Sequence, residues 1–309
     1  MKTMQRTVKP WNRLGLSAIA LLCAEAIVLS PAVNAQAVIS DGTVNTVVTR
    51  SGNSFAIDNG TTSGTNLFHS FREFSIPTGG SAIFNNTSNI QNIFSRVTGG
   101  TVSNIDGLIR ANGTANLFLL NPNGILFGPN ASLNIGGSFV GTTANSIQFA
   151  DGVGFSATNT NGTPLLTMSV PVGLQMGANA GAIQVQGATV PNPRFRPPTL
   201  AVAPTQTLAL VGSQIDMKSA NLTAPDGRIE LWAVRDAQIA MNNQPWQLTS
   251  AAPTPNWGTI TLQQASLVDA SGTNGGAINI RGRGLTVQDG SNINSITFAG
   301  QGKGITVQT

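Results

Sequence analysis

Short apolar–polar–apolar triplets recur through the second half of the chain. Gly227-Arg228-Ile229-Glu230-Leu231 returns as Gly258-Thr259-Ile260-Thr261-Leu262, as Gly276-Ala277-Ile278-Asn279-Ile280 and as Gly304-Ile305-Thr306-Val307. Between these lie Leu208-Ala209-Leu210, Ala220-Asn221-Leu222 and Leu285-Thr286-Val287. Side chains alternate across a strand, so each triplet reads as a minimal strand with one apolar face. Glycine and asparagine gather in the gaps, where tight corners need positive φ. Strands this short bury their apolar face only by stacking on copies of themselves. The pattern predicts an all-β chain folded as a right-handed parallel β-helix, with coils of about twenty residues, three short strands per coil and roughly a dozen rungs. A β-sandwich would need longer strands and fewer glycines at the corners. Ile229, Leu231, Ile260, Leu262, Ile278 and Ile280 are the expected inward columns; Arg228, Glu230, Thr259, Thr261 and Asn279 are expected to face solvent.

The first half departs from this rhythm. Val44-Asn45-Thr46-Val47-Val48 and Ser54-Phe55-Ala56-Ile57-Asp58 alternate around Ser51-Gly52-Asn53, which predicts an antiparallel hairpin. A solenoid must cover its terminal rung, so residues 38–60 are assigned as an N-terminal β cap. Residues 117–120 are apolar on both faces and predict a strand covered on both, by a flap or extra-helical strands. Val190-Pro191-Asn192-Pro193-Arg194-Phe195-Arg196-Pro197-Pro198 cannot lie in a central strand, because proline removes ladder donors. Residues 190–204 are therefore an excursion, either a contact loop or a plain connection. The expected organisation is a leader over 1–35, a β-helical domain over 36–250 and further rungs over 251–309 that begin a longer passenger.

Lys2, Arg6, Lys9 and Arg13 precede an apolar stretch from Leu14 to Leu29 that Glu25 interrupts. Val33-Asn34-Ala35 then places small residues at a cleavage site. This is the pattern of a secretory signal peptide cut after Ala35, and not of a stable membrane span. Cys23 follows Leu22, which does not fit a lipoprotein signal. Four of sixteen basic residues and one of twelve acids leave with the signal, so the mature chain carries twelve against eleven, a net charge of +1. No basic run remains for nucleic acid beyond Arg194 with Arg196. The only cysteine also leaves, so the mature chain has no disulfide and relies on its core and backbone ladders.

Catalytic chemistry has little to work with. His69 is the only histidine and sits between Phe68 and Phe71. One histidine and no mature cysteine rule out the usual zinc clusters, and no cofactor or metal is expected. No phosphate loop and no Gly-x-Ser-x-Gly elbow is present. β-Helices do host polysaccharide lyases and glycoside hydrolases, which need converging carboxylates. Asp216, Asp226, Glu230 and Asp236 are the nearest acid group, but nothing in their spacing demands that they meet. The chain is therefore read as not an enzyme.

One stretch is legible residue by residue. Asn121-Pro122-Asn123-Gly124-Ile125 joins two apolar runs. Asn121 precedes proline and stays extended; Pro122 presets the first turn dihedral. Asn123 tolerates the left-handed region, and Gly124 takes positive φ freely. Upstream, in order, come Asn66-Leu67-Phe68-His69-Ser70-Phe71-Arg72-Glu73-Phe74, Ile76-Pro77-Thr78-Gly79-Gly80 and Phe84-Asn85-Asn86. These are followed by Ser95-Arg96-Val97-Thr98-Gly99-Gly100, Asn104-Ile105-Asp106-Gly107 and Asn116-Leu117-Phe118-Leu119-Leu120. The ordered set resembles the N-terminal secretion domain of the filamentous haemagglutinin family, most densely over residues 40–150. Many members carry an Asn-Pro-Asn-Leu motif ahead of the Arg-Val-Thr segment; here that stretch reads Asn85-Asn86-Thr87-Ser88-Asn89-Ile90, a departure that bears on the subgroup.

The resemblance implies a Gram-negative two-partner secretion protein. It implies recognition by an outer-membrane β-barrel transporter with periplasmic binding modules, and release to the cell surface or medium. It further implies an adhesin or haemagglutinin-like passenger with a cell-surface ligand; a cytolysin shares the same export domain. Asn121, Pro122, Asn123, Gly124 and Ile125 are the expected secretion motif, through recognition or through the fold.

Overall fold

The computed structural model describes residues 37–160, 164–249 and 254–309. The signal-peptide assignment falls outside them. Residues 36–309 form one compact unit.

That unit is a parallel β-helix. Each coil lays a strand on each of three faces in turn. On the central face, Asn66–Phe74, Asn92–Val97, Asn116–Leu120, Phe139–Thr142, Thr207–Gly212, Arg228–Arg235, Ala277–Arg281 and Gly304–Gln308 pair in parallel. The second face stacks Ser103–Ile105, Ile125–Phe127, Ile183–Gln186, Ile215–Lys218, Thr259–Gln263 and Gly284–Val287. The third face is built by two shorter sheets. One holds Ser54–Asn59, Ser81–Phe84, Leu108–Ala111 and Ser132–Asn134; the other holds Leu200–Ala201, Asn221–Thr223, Leu267–Asp269 and Asn292–Asn294. The expected dozen rungs become eight on the central face among the described residues, because residues 143–160, 164–180, 187–198, 236–249 and 254–257 leave the coil.

Alternation explains why these segments stack. Phe71, Ile93, Leu117, Phe139, Leu208, Ile229, Ile278 and their counterparts on the other faces form one continuous apolar core inside the coil. All six predicted inward residues lie in it, each 0–1 % exposed. Polar ladders add register at the edge of the core. Asn116 Nδ2 donates to Asn92 Oδ1 at 2.9 Å, and Asn92 Nδ2 donates to Asn66 Oδ1 at 3.0 Å. Such a ladder forms only when each rung sits directly on the last, so it penalises a slip that the apolar columns alone tolerate.

The N-terminal cap is a hairpin. Thr46–Ser51 pairs antiparallel with Ser54–Asn59, closed by Gly52 and Asn53 with Gly52 at φ +57°. Ser54–Asn59 then starts the third face by pairing parallel with Ser81–Phe84. Val38–Ser40 runs antiparallel along the first rung of the central face and covers its edge.

The central face is apolar outside as well as inside. Phe68, Phe94, Phe118, Leu120, Val140, Ala209, Val211, Trp232 and Val234 point outward into a second core. Its lid is an antiparallel sheet of Gly154–Ser156, Ser146–Phe149, Pro171–Met176, Ala237–Ala240 and Gln247–Leu248. These are the extra-helical strands expected from residues 117–120.

Two outward residues differ from expectation. Glu230 and Asn279 do face away from the coil, yet they are 0 % and 6 % exposed. Asn256–Trp257 pairs with the end of Arg228–Arg235, and Arg281 lies over the Trp232 and Trp257 rings at 4.7 and 5.5 Å, so this part of the outer face is covered. Glu230 accepts from Trp232 Nε1 (3.0 Å), Asn279 Nδ2 (2.9 Å) and Arg228 (3.3 Å). Burial still raises its carboxyl above the ordinary range, against the lowering effect of these partners.

Candidate functional site

The Asn121–Ile125 segment turns the chain from the central face to the second. Gly124 N–H donates to the Asn121 carbonyl at 3.1 Å, closing a four-residue turn. Gly124 takes φ +124°, as expected. Asn123, which tolerates the left-handed region, does not use it here. In a type I turn the third residue keeps negative φ, and the reversal is carried by the glycine that follows.

Asn121 is the keystone of the turn. It is 0 % exposed, and its carboxamide uses both donors and both lone pairs. Nδ2 donates to Thr101 O and to Ser103 Oγ, each at 2.9 Å. Oδ1 accepts from the Asn123 backbone at 3.0 Å and from Asn123 Nδ2 at 3.1 Å. Its backbone N–H donates to Thr142 O in the next rung, while Gly181 N–H donates to Pro122 O. A side chain on Gly181 would strike the Asn123 carbonyl carbon at 2.5 Å, so the next corner packs directly on this one. Asn121, Pro122, Gly124 and Ile125 are all buried. Asn123 alone reaches solvent, with its amide nitrogen held by Asn121.

A second motif residue is positioned by contacts the sequence does not announce. Arg96 is 1 % exposed. Its guanidinium donates to Ser70 Oγ (2.8 Å), to Thr43 Oγ1 (2.8 Å) and to the Ser156 carbonyl, and lies 4.6 Å from the centre of the Phe155 ring. It thereby ties the cap, the first rung and the outer sheet. Asp41 stands nearby and accepts from Ser70 and Thr98. Burial pushes the Asp41 carboxyl up, but hydrogen bonds from Ser70, Thr43 and Thr98 outweigh it and hold the group below its ordinary value. The following Gly99 packs so closely that a β-carbon would sit 2.0 Å from Arg72 O.

The residues weighed for catalysis do not assemble. His69 is buried against Phe71 and Phe84, with Nδ1 3.1 Å from Thr46 Oγ1. Desolvation lowers it to about 4, the Asp58 charge opposing, so it packs as a neutral ring. Asp216 lies on the second face, Glu230 on the central face, and Asp226 and Asp236 in corners at φ +54° and +50°. No group of three or more histidine, cysteine or acidic side chains suited to a metal occurs among the described residues. No helix among them is long and apolar enough to cross a membrane.

The arrangement is a scaffold whose motifs fix corners and seams. A family model described as the TPS (two-partner secretion) secretion domain matches residues 36–280. The chain belongs to the TPS secretion domain family. A TPS secretion domain is an export domain, which implies release by two-partner secretion and interaction with an outer-membrane transporter. The chain is also similar to the crystal structure of the HMW1 secretion domain from Haemophilus influenzae. That likeness has 17 % identity and a TM-score of 0.46, and covers 84 % of this chain and 72 % of that one. No curated protein sequence matches the chain.

Proposed function

We propose that this chain is the exported partner of a two-partner system, with residues 1–35 removed after Ala35 and the remainder released to the cell surface or medium. The family match over residues 36–280 carries the reading. An outer-membrane β-barrel with periplasmic binding modules receives the unfolded domain and passes it outward. Rungs then add by contacts with their neighbours, and burial opposes return. The passenger role is that of an adhesin or haemagglutinin-like rod; the family match runs to residue 280, past the expected boundary at 250, so the rod begins after 280. Asn121, Pro122, Asn123, Gly124 and Ile125 form the secretion motif, and Asn123 is the member placed to touch a partner once folded.

The test compares cells producing the chain with and without its barrel transporter, scoring folded protein in the medium. Transporter-dependent release is expected. Periplasmic accumulation regardless of the transporter overturns the reading.

A further inference from the structure

The proline-rich excursion roofs a cleft. Between the Pro193–Phe195 turn and the third face lies a cavity of about 420 Å³. Asn192 and Arg194 overhang it, and Asn221, Leu267, Asn292 and Asn294 line it from three adjacent strands. Asn221 sits opposite Leu267, and Leu267 opposite Asn292. Leu222, Val268 and Ile293, which alternate with them, pack toward the core, so the lining residues face outward.

Three features of this cleft are unusual for a passive connection. First, Asn221 is only 6 % exposed, yet its Oδ1 has no hydrogen-bond partner among the described residues. The amide cannot simply be turned over, because Nδ2 donates to Arg196 O at 3.1 Å and the swap would set oxygen against oxygen. A buried acceptor in this state gains from an incoming donor. Second, Arg194 is exposed and makes no ion pair among the described residues, and no carboxylate lines the cleft. Its neighbour Arg196 is different: its guanidinium donates to Ala188 O (3.0 Å) and Ala265 O (2.7 Å) and staples the base of the excursion. Third, Phe195 is 81 % exposed at the tip. Pro191, Pro193, Pro197 and Pro198 restrict the backbone of the excursion on either side of the tip.

The chemistry narrows the occupant. A free guanidinium selects a carboxylate. Carboxamides on a flat sheet both donate and accept, which suits hydroxyl groups, and Asn221 Oδ1 calls for a donor. Leu267 inside the cleft, and the exposed Phe195 ring that follows Arg194 outside its lining, offer apolar surface to a ligand with a nonpolar face. We propose that this cleft binds an acidic oligosaccharide, a uronate chain whose carboxylate meets Arg194 and whose hydroxyls meet Asn192, Asn221, Asn292 and Asn294. No residue of the Pro193–Phe195 turn is buried, so the tip can yield to admit a sugar while the Arg196 staple holds. The site requires no transporter and stands or falls apart from the export reading.

The test is calorimetric titration of the purified, folded mature chain with a galacturonate tetrasaccharide. A neutral galactose tetrasaccharide and a tetraglutamate peptide serve as competing probes. Binding of the uronate alone is expected, weakened about tenfold or more by Arg194→Gln and by Phe195→Ala, the size of effect typical of anchor residues. Phe298→Ala, at an exposed phenylalanine elsewhere, leaves it unchanged. In the unaltered chain, the resonances of the Phe195 ring and the Asn221 carboxamide shift on titration. Four results overturn the proposal: no uronate binding at millimolar concentration, equal binding of the neutral sugar, equal binding of the peptide, or affinity indifferent to both substitutions.

Discussion

The Asn-Pro-Asn-Gly turn contains two asparagines with opposite fates. Asn121 is sealed, and all of its hydrogen-bonding capacity is used by Thr101, Ser103 and Asn123. Asn121→Ala leaves the part-buried Thr101 carbonyl, the buried Ser103 hydroxyl and the Asn123 backbone N–H without partners, a loss of about 2–3 kcal/mol. Asn123→Ala removes one partly exposed bond and costs about 0.5–1 kcal/mol. Urea denaturation of the two variants should show this ranking. Export of Asn123→Ala then separates recognition from folding, since lost release at near-normal stability assigns it to contact. His69 gives a second residue-scale expectation. Its folded value of about 4 lies below the ordinary 6.5, so the unfolded chain binds more protons between those limits. Stability contributed by the neutral ring is full above about 6.5 and falls as pH drops toward 4, by about 3 kcal/mol in all. Glu230 works in the opposite sense: its raised carboxyl makes the native state bind protons first, so its contribution improves as pH falls through its folded value. The decisive measurement is therefore the difference between the parent and His69→Phe in urea midpoints at pH 7 and pH 4.5. The parent should lose more than the variant.

At the scale of strands, the outer aromatic row decides whether the coil acquires its cover. Phe94 stacks between Phe68 (5.2 Å) and Phe118 (4.9 Å) and meets Phe149 of the outer sheet edge-on at 5.0 Å. It is 0 % exposed, and Phe94→Ala should cost about 3–5 kcal/mol in chemical denaturation. The same truncation at exposed Phe298 should cost less than about 0.5 kcal/mol. The row also shows what a sequence can and cannot disclose. Inward columns such as Ile229, Ile260 and Ile278 are legible because alternation is local. The double-sided apolar run at 117–120 announces that a cover exists, but not that its strands come from residues 146–176 and 237–248. Glu230 reads as solvent-facing because the side chains that bury it, Trp257 and Arg281, lie some way along the chain. Gly124 is legible from the turn, whereas the hand of Asn123 is not, because asparagine suits both and only the turn class decides. Arg96 is visible as a motif letter, while its partners Thr43, Ser70 and Ser156 are set by topology.

Across the whole unit, most contacts are between successive rungs, so a disturbance should travel along neighbours and fade. Arg96 is an exception with a measurable consequence. Its donors reach the cap at Thr43, the first rung at Ser70 and the outer sheet at Ser156, parts brought together only by the finished fold. A lysine at this position cannot reproduce three diverging planar donors or stack flat on Phe155. Without the fork, the Ser156 carbonyl and the Asp41–Ser70–Thr98 cluster are left short of a donor. Hydrogen exchange on Arg96→Lys should therefore show faster exchange at two separated places at once, the cap strands Val38–Ser40 and Thr46–Ser51 and the outer strand Gly154–Ser156. Strands Thr259–Gln263 and Gly284–Val287, several rungs away, should keep parental protection. Loosening confined to Asn92–Val97 would mean that the arginine serves only its own rung. Joint loosening of cap and cover would identify it as the point where the two coverings of the coil are locked to each other, a reason for an export domain to carry a buried cation in a chain otherwise so poor in charge.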